Sequence, residues 1–264
     1  MPTPAVHRRG LLLVGVATVA LVVLRSYIFL RYGPAFFDSD QAVVGLMAKH
    51  LSEGRGFPLF FYGQNYLLGV EAWIAAPWFR LGGPTVAMLR LPLVLVNIAV
   101  GWALILTFVR RGLAPWLAGL VVLPFLVTTP LVSVELVTAL GASVEPFLYL
   151  VLLWALRRRP LGFGLLFAFA GLHREFCVFA LPAAVLAGWL ERRTWSRSNW
   201  LTASLGAATV WAVVDFLKWH VNTLGVPGGV REVSSLAEEA RTIGAFLSFD
   251  AASYLARLRQ AVSF

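Results

Sequence analysis

Apolar runs long enough to cross a bilayer alternate along this chain with short arginine-rich breaks. The first runs from about Gly10 to Leu30, after His7, Arg8 and Arg9, and ends at Arg31-Tyr32-Gly33-Pro34. The second spans Pro84 to Val109 and closes on Arg110-Arg111. A third extends from Leu113 to about Thr129, and a fourth from about Val137 to Leu156, closed by Arg157-Arg158-Arg159. The stretch Leu161 to Leu190 is interrupted by His173-Arg174-Glu175. Its halves fall short of the roughly 20 residues that a ~30 Å hydrocarbon core requires. They predict two short or tilted helices joined inside or near one membrane face. The last run, Trp200 to Trp219, places two indoles about 28 Å apart at ~1.5 Å per residue, the spacing of anchors at opposite interfaces. The pattern predicts an all-α, polytopic transmembrane helix bundle of about seven spans.

The polar segments between these runs carry their own periodicity. In the first external loop, 32–83, Gln41 to Glu53 reads as a helix with Val43, Met47 and Leu51 on one face and Gln41, Lys49, Ser52 and Glu53 elsewhere. A turn at Gly54-Arg55-Gly56-Phe57-Pro58 follows. Gly63-Gln64-Asn65-Tyr66 then introduces a second apolar segment, Leu67 to Leu81, bearing Glu71 and Arg80. Such mixtures predict amphipathic helices lying in the interface. Residues 1–220 read as one transmembrane module and 221–264 as an external helical segment. In the latter, Ser235-Leu236-Ala237-Glu238 fits a capping box, and Leu236, Ala240, Ile243 and Leu247 recur at helical spacing. The chain stops within a helical pattern, as an amino-terminal fragment or a truncated relative of a longer protein would. No internal repeat is evident.

Composition removes the soluble alternatives. Of 264 residues, 59% are hydrophobic and 13% charged, against about 25% charged in soluble domains, and the mean hydropathy is +0.78. The formal charge of +9 does not indicate nucleic-acid binding, because the arginines sit at the ends of apolar runs. The clusters at 8–9, 110–111, 157–159 and 192–197 all fall on one side, which the positive-inside rule makes cytoplasmic. The amino terminus is then cytoplasmic, in the inner membrane, and the first run is a retained span, being longer than a signal-peptide core. Glu191 is the one acid in a cytoplasmic break. The lone cysteine, Cys177, excludes an intramolecular disulfide and reads as a small packing residue.

The sharpest chemical feature is Phe36-Phe37-Asp38-Ser39-Asp40-Gln41. Asp38 and Asp40 are placed for general-base work or for ligating a divalent cation. Asp38-x-x-Gln41 is equally a helix-start signature, with Asp38 capping and Gln41 reaching back. His173-Arg174-Glu175 is either a water-exposed loop or a functional group set into the membrane. Glu145, within the fourth run, is either a helix-end carboxylate or a site residue. Gln64, Asn65 and Tyr66 form a polar notch open to a substrate. Asp215 and Lys218 read first as a pair on one helix face, and Arg25 and Arg90 as snorkelling side chains.

The arginine-bearing amino terminus, the single span, Asp38-Ser39-Asp40-Gln41, the amphipathic helix, and Tyr62-Gly63-Gln64-Asn65-Tyr66 with Glu71 together resemble the opening of a GT-C glycosyltransferase. The likeness is to bacterial family 39-like enzymes, related to protein O-mannosyltransferases and lipid A aminoarabinose transferases. It covers residues 8–175 in layout and is specific over Asp38–Glu71. Relatives often carry Asp-Glu where this chain has Asp-Ser-Asp, and are about twice as long. The resemblance implies an inverting glycosyltransferase with a polyprenyl-phosphate sugar as donor. A lipid, glycan or protein would be acceptor, and the active site would be extracytoplasmic. It implies catalysis by Asp38 or Asp40, as base or as metal ligand. Donor and acceptor contacts would come from Gln64, Asn65, Tyr66, Glu71, Glu145, His173, Arg174, Lys218 and Arg231. The alternatives are a transporter or flippase of lipid-linked substrates, for which inverted repeats would be expected, and a non-catalytic fragment of a larger membrane enzyme.

Overall fold

A backbone surrounded by apolar side chains must pair its own N–H and C=O groups, and here it does so as helices. The structure is a computed structural model and describes residues 4–64, 66–139, 144–192 and 194–220. These form α1 (Pro4–Arg31), α2 (Ser39–Ser52), α3 (Val70–Gly82), α4 (Val86–Arg110), α5 (Pro115–Leu126), α6 (Pro130–Glu135), α7 (Glu145–Leu156), α8 (Pro160–His173), α9 (Ala180–Leu190) and α10 (Arg197–His220). Short 3-10 turns follow α1 and α8 at Gly33–Phe36 and Glu175–Phe179. Among the described residues the only extended pairing is an isolated antiparallel bridge between Phe60 and Leu68.

Among the described residues three helical segments are long and apolar enough to cross a membrane: Arg8–Arg31, Val86–Arg110 and Arg197–Lys218. One of the other apolar helices, α5, is shorter than the sequence pattern predicts, and prolines account for this. The third run becomes a helix only between Pro115 and Leu126, with Pro124 near its end, and the chain restarts at Pro130 behind a Thr129 cap. Within the fourth run, expected from Val137 to Leu156, α7 covers Glu145–Leu156, and Pro146 presets its first turn. The interrupted stretch does form two short helices, α8 and α9, as expected.

Side-chain contacts fix the helix directions. Gly15 faces Trp102, Gly101 faces Thr18, and Gly33 faces Val86, so α1 and α4 run antiparallel. Gly10 faces Pro115 and Gly119 faces Val14, so α5 runs alongside α1. Arg8, Arg9, Arg110 and Arg111 therefore share one end of the bundle. Glu191 reaches Arg157 at 3.4 Å, Arg158 at 3.6 Å and Arg111 at 3.9 Å. That carboxylate gathers three arginine-bearing segments at the same end. Asp38 follows the far end of α1 and His173 closes the far end of α8, so both lie remote from the arginines.

Two sequence expectations are corrected at that remote end. Arg90 does not snorkel; it is fully buried and donates to Phe29 O at 3.0 Å, Gly33 O at 3.4 Å, Phe36 O, and Gln41 Oε1 at 2.8 and 3.1 Å. It collects carbonyls left open where α1 ends. Arg25 is likewise held inside, donating to Phe125 O and to Asn97 Oδ1. Gln41, assigned to a polar face, is fully buried because its amide joins α2 to Arg90.

The packing of α8 on α10 depends on backbone proximity. A Cβ added at Gly164 would overlap the Ala203 carbonyl, and one at Gly206 would come within 2.7 Å of Leu161 O. Small residues at a crossing let helices approach at van der Waals distance, which drives association in lipid. Gly164→Ala is expected to cost about 1–3 kcal/mol, since backbone cannot yield as a side chain can. Gly171→Ala on the same helix meets nothing within 4 Å and should leave the thermal midpoint in detergent unchanged.

Candidate functional site

Two polar centres stand at the end remote from the arginines. The first is buried. Glu71 occupies the first turn of α3, behind the Gly69 cap, where a carboxylate faces the positive end of the helix dipole. His173 is the last residue of α8, and Arg174 follows as its C-cap, where cations are favoured for the same reason. A backbone hydrogen bond from Leu68 N to Leu172 O, 3.0 Å, docks the first loop on this helix end. Glu71 Oε2 then lies 2.9 Å from His173 Nε2, and Glu71 Oε1 accepts from Arg174 Nη2. The Tyr149 hydroxyl lies 2.8 Å from His173 Nδ1. In a neutral ring, Nε2–H donates to Glu71 and Nδ1 accepts from Tyr149 O–H.

These groups are sealed from solvent: His173 is 0% exposed, Glu71 3%, Arg174 5% and Tyr149 6%. The reading of His173-Arg174-Glu175 as a water-exposed loop is therefore corrected for its first two residues; Glu175 is exposed. Glu71, expected on an interfacial helix, is interior. Burial pushes its carboxyl up, but the charge and hydrogen bond of His173 and the charge of Arg174 outweigh this and hold it below the usual carboxylate range. Glu145 is 3% exposed at the start of α7. It lies four residues before Tyr149, on the same helical face.

The second centre is open. Asp38 is the N-cap of α2: Oδ1 accepts from Gln41 N at 2.8 Å and Oδ2 from Gln41 Nε2 at 3.0 Å. The capping signature is realised with one change. The Gln41 amide reaches the Asp38 carboxylate and Phe36 O instead of the cap's backbone N–H. Asp38, Gln41 and Arg90 form a continuous chain. Asp40 lies in the first turn of α2, and both aspartates are exposed. Both lie on the surface, not in a closed cleft. Among the described residues no group of three or more His, Cys, Asp or Glu side chains gathers for a metal. Both Asp38 oxygens already hold α2, so a cation there would compete with the cap. The donor set does not make a metal cage.

The remaining sequence candidates scatter. Gln64 Oε1 is buried and has no hydrogen-bond partner among the described residues. Tyr66 is 60% exposed. Lys218 Nζ sits 5.9 Å from the Phe60 ring centroid, at the far end of α10. Asn65 and Arg231 lie outside the described residues. Sequence reasoning missed Tyr149 and also the His50 Nδ1–Tyr62 hydroxyl contact at 2.8 Å. A tyrosine in an apolar run reads as packing, although the Glu145–Tyr149 spacing was a usable signal. No family model, curated protein or solved structure matches the chain.

Proposed function

We propose that this chain is a multi-pass inner-membrane glycosyltransferase that moves a sugar from a polyprenyl-phosphate donor to an acceptor hydroxyl at the extracytoplasmic face. In this reading the arginine-rich end is cytoplasmic, and the bundle crosses the bilayer about seven times with its short helices tilted or re-entrant. One observation supports it above the others: two carboxylates two positions apart at the end opposite the arginine clusters, one bound into a helix cap and the other exposed. Asp38 is engaged in holding α2, whereas Asp40 is exposed one residue into that helix. Such a place suits a base that meets a donor whose tail stays in the bilayer and whose phosphate stays at the interface.

The step follows from that placement. Asp40 takes the proton of the acceptor hydroxyl, and the oxygen attacks the anomeric carbon. The bond from that carbon to the phosphate oxygen breaks, the electron pair leaves with the phosphate, and the anomeric configuration inverts. Lys218, at the far end of α10, would be a cation to meet the leaving phosphate. Gln64 Oε1, an acceptor without a donor among the described residues, suits a sugar hydroxyl. Glu71, His173 and Arg174 hold the loop that carries Asp40 and Gln64, and their burial argues against direct contact with the reacting atoms.

Membranes containing the protein, supplied with radiolabelled polyprenyl-phosphate sugars, test this. Asp40→Asn is expected to lower transfer about a hundredfold, the lower range for loss of a positioned base. Asp38→Asn retains capping ability and should reduce transfer less. Wild-type rates in both variants would reject the assignment. Absence of transfer by every form, with the fold intact, would favour a transporter or a non-catalytic membrane subunit.

A further inference from the structure

A cavity of about 520 Å³ opens at the arginine-rich end, between the ends of α7 and α9 and the starts of α8 and α10. Its rim carries Arg157, Arg158, Glu191 and Trp195, and its wall is the apolar face of α9 at Leu181 and Val185. The rim is built, not incidental. Trp195 Nε1 donates to Arg157 O at 2.9 Å. Its ring meets Phe163 at 5.2 Å and Trp200 at 4.8 Å, both edge-on. Arg157 lies over Trp154, 4.2 Å from the ring centroid, and its side chain is only 19% exposed.

The charges do not balance. Arg111, Arg157 and Arg158 converge on the single carboxylate of Glu191, and Arg159, Arg192 and Arg197 are exposed nearby in sequence. The surplus is cationic. Beneath it the wall is apolar and itself half-exposed, with Val185 at 47%. An anion with no tail would satisfy the rim and leave the wall wet. A zwitterion would satisfy the wall and bring no net charge to the rim. A phosphate headgroup carrying one net negative charge and an acyl chain satisfies both.

We propose that this cavity binds an anionic phospholipid of the membrane leaflet facing the arginines. The phosphate sits among Arg157, Arg158 and Trp195, and one acyl chain lies along Leu181 and Val185. The site lies at the opposite end from Asp38, Asp40 and Glu71 and stands whether or not the chain transfers sugars.

Native mass spectrometry of the purified protein in detergent, titrated with phosphatidylglycerol or with phosphatidylcholine, tests it. Each arginine near a phosphate contributes about fivefold in affinity. Wild type is therefore expected to retain one phosphatidylglycerol with at least tenfold preference, unaffected by excess inorganic phosphate. Arg157→Gln with Arg158→Gln should abolish the preference. Val185→Trp, which fills the wall and leaves every charge in place, should remove the bound lipid and guards against a folding defect in the double variant. Equal retention of the two lipids, displacement by inorganic phosphate, or wild-type retention in the Val185→Trp protein would each overturn the proposal.

Discussion

Glu71→Gln is expected to lower the stability of the protein by about 3–5 kcal/mol, because it leaves Arg174 buried without its counter-charge. Glu71 accepts from both His173 and Arg174, and all three are sealed from solvent. Glutamine keeps the size of the side chain but places an amide nitrogen against one of two donors. A surface pair would be worth far less. The same contact predicts a pH dependence. The Glu71 carboxyl is held below its ordinary range, so its contribution is complete above the unfolded value, about 4.3. It is lost as the pH falls through the lower folded value. Thermal unfolding in detergent, wild type against Glu71→Gln, should show a gap that persists from neutral pH down to about 4.5 and closes only below it. A gap that closes nearer neutrality would show that Glu71 is not held as described.

Arg90→Met is expected to destabilise by roughly 3 kcal/mol, again read from thermal unfolding in detergent. Methionine fills much of the volume, yet it strands the carbonyls of Phe29, Gly33 and Phe36 and the Gln41 amide oxygen, all of which accept from Arg90. Hydrogen bonds from a charged donor in a buried setting are costly to leave unmade. Arg90→Lys should not rescue, because an ammonium cannot serve four acceptors arranged around a planar fork. The loss should also loosen α2, whose cap is tied to Arg90 through Gln41. Transfer activity would then fall along with stability, whereas Asp40→Asn should lower transfer alone.

Much of the helical layout was legible because spans announce themselves by composition and end on arginines. The break at His173 was visible too, since three ionisable residues in an apolar run stand out. What it was for was not. Its partner Glu71 lies 102 positions away, and nothing in local spacing connects the two. Gln41 and Arg90 hid for the same reason. Each has an adequate local explanation, a helix-start glutamine and a snorkelling arginine, and only the tertiary fold puts one against the other. The length of α5 was misjudged because hydropathy averages over prolines at which helices stop and restart. The cap at Asp38 was readable from four residues, because capping is a local interaction.

The first loop and the end of α8 meet in one buried polar centre, and that contact organises the end of the bundle where the proposed chemistry lies. Disulfide trapping measures it directly. Leu68→Cys with Leu172→Cys, in a Cys177→Ser background, should crosslink readily under mild oxidant, since the two backbones share a hydrogen bond of 3.0 Å. Leu68→Cys with Leu161→Cys, at the opposite end of α8, should not. Failure of the first pair in protein with an unchanged thermal transition, or equal crosslinking of both pairs, would contradict the fold on which the site is built.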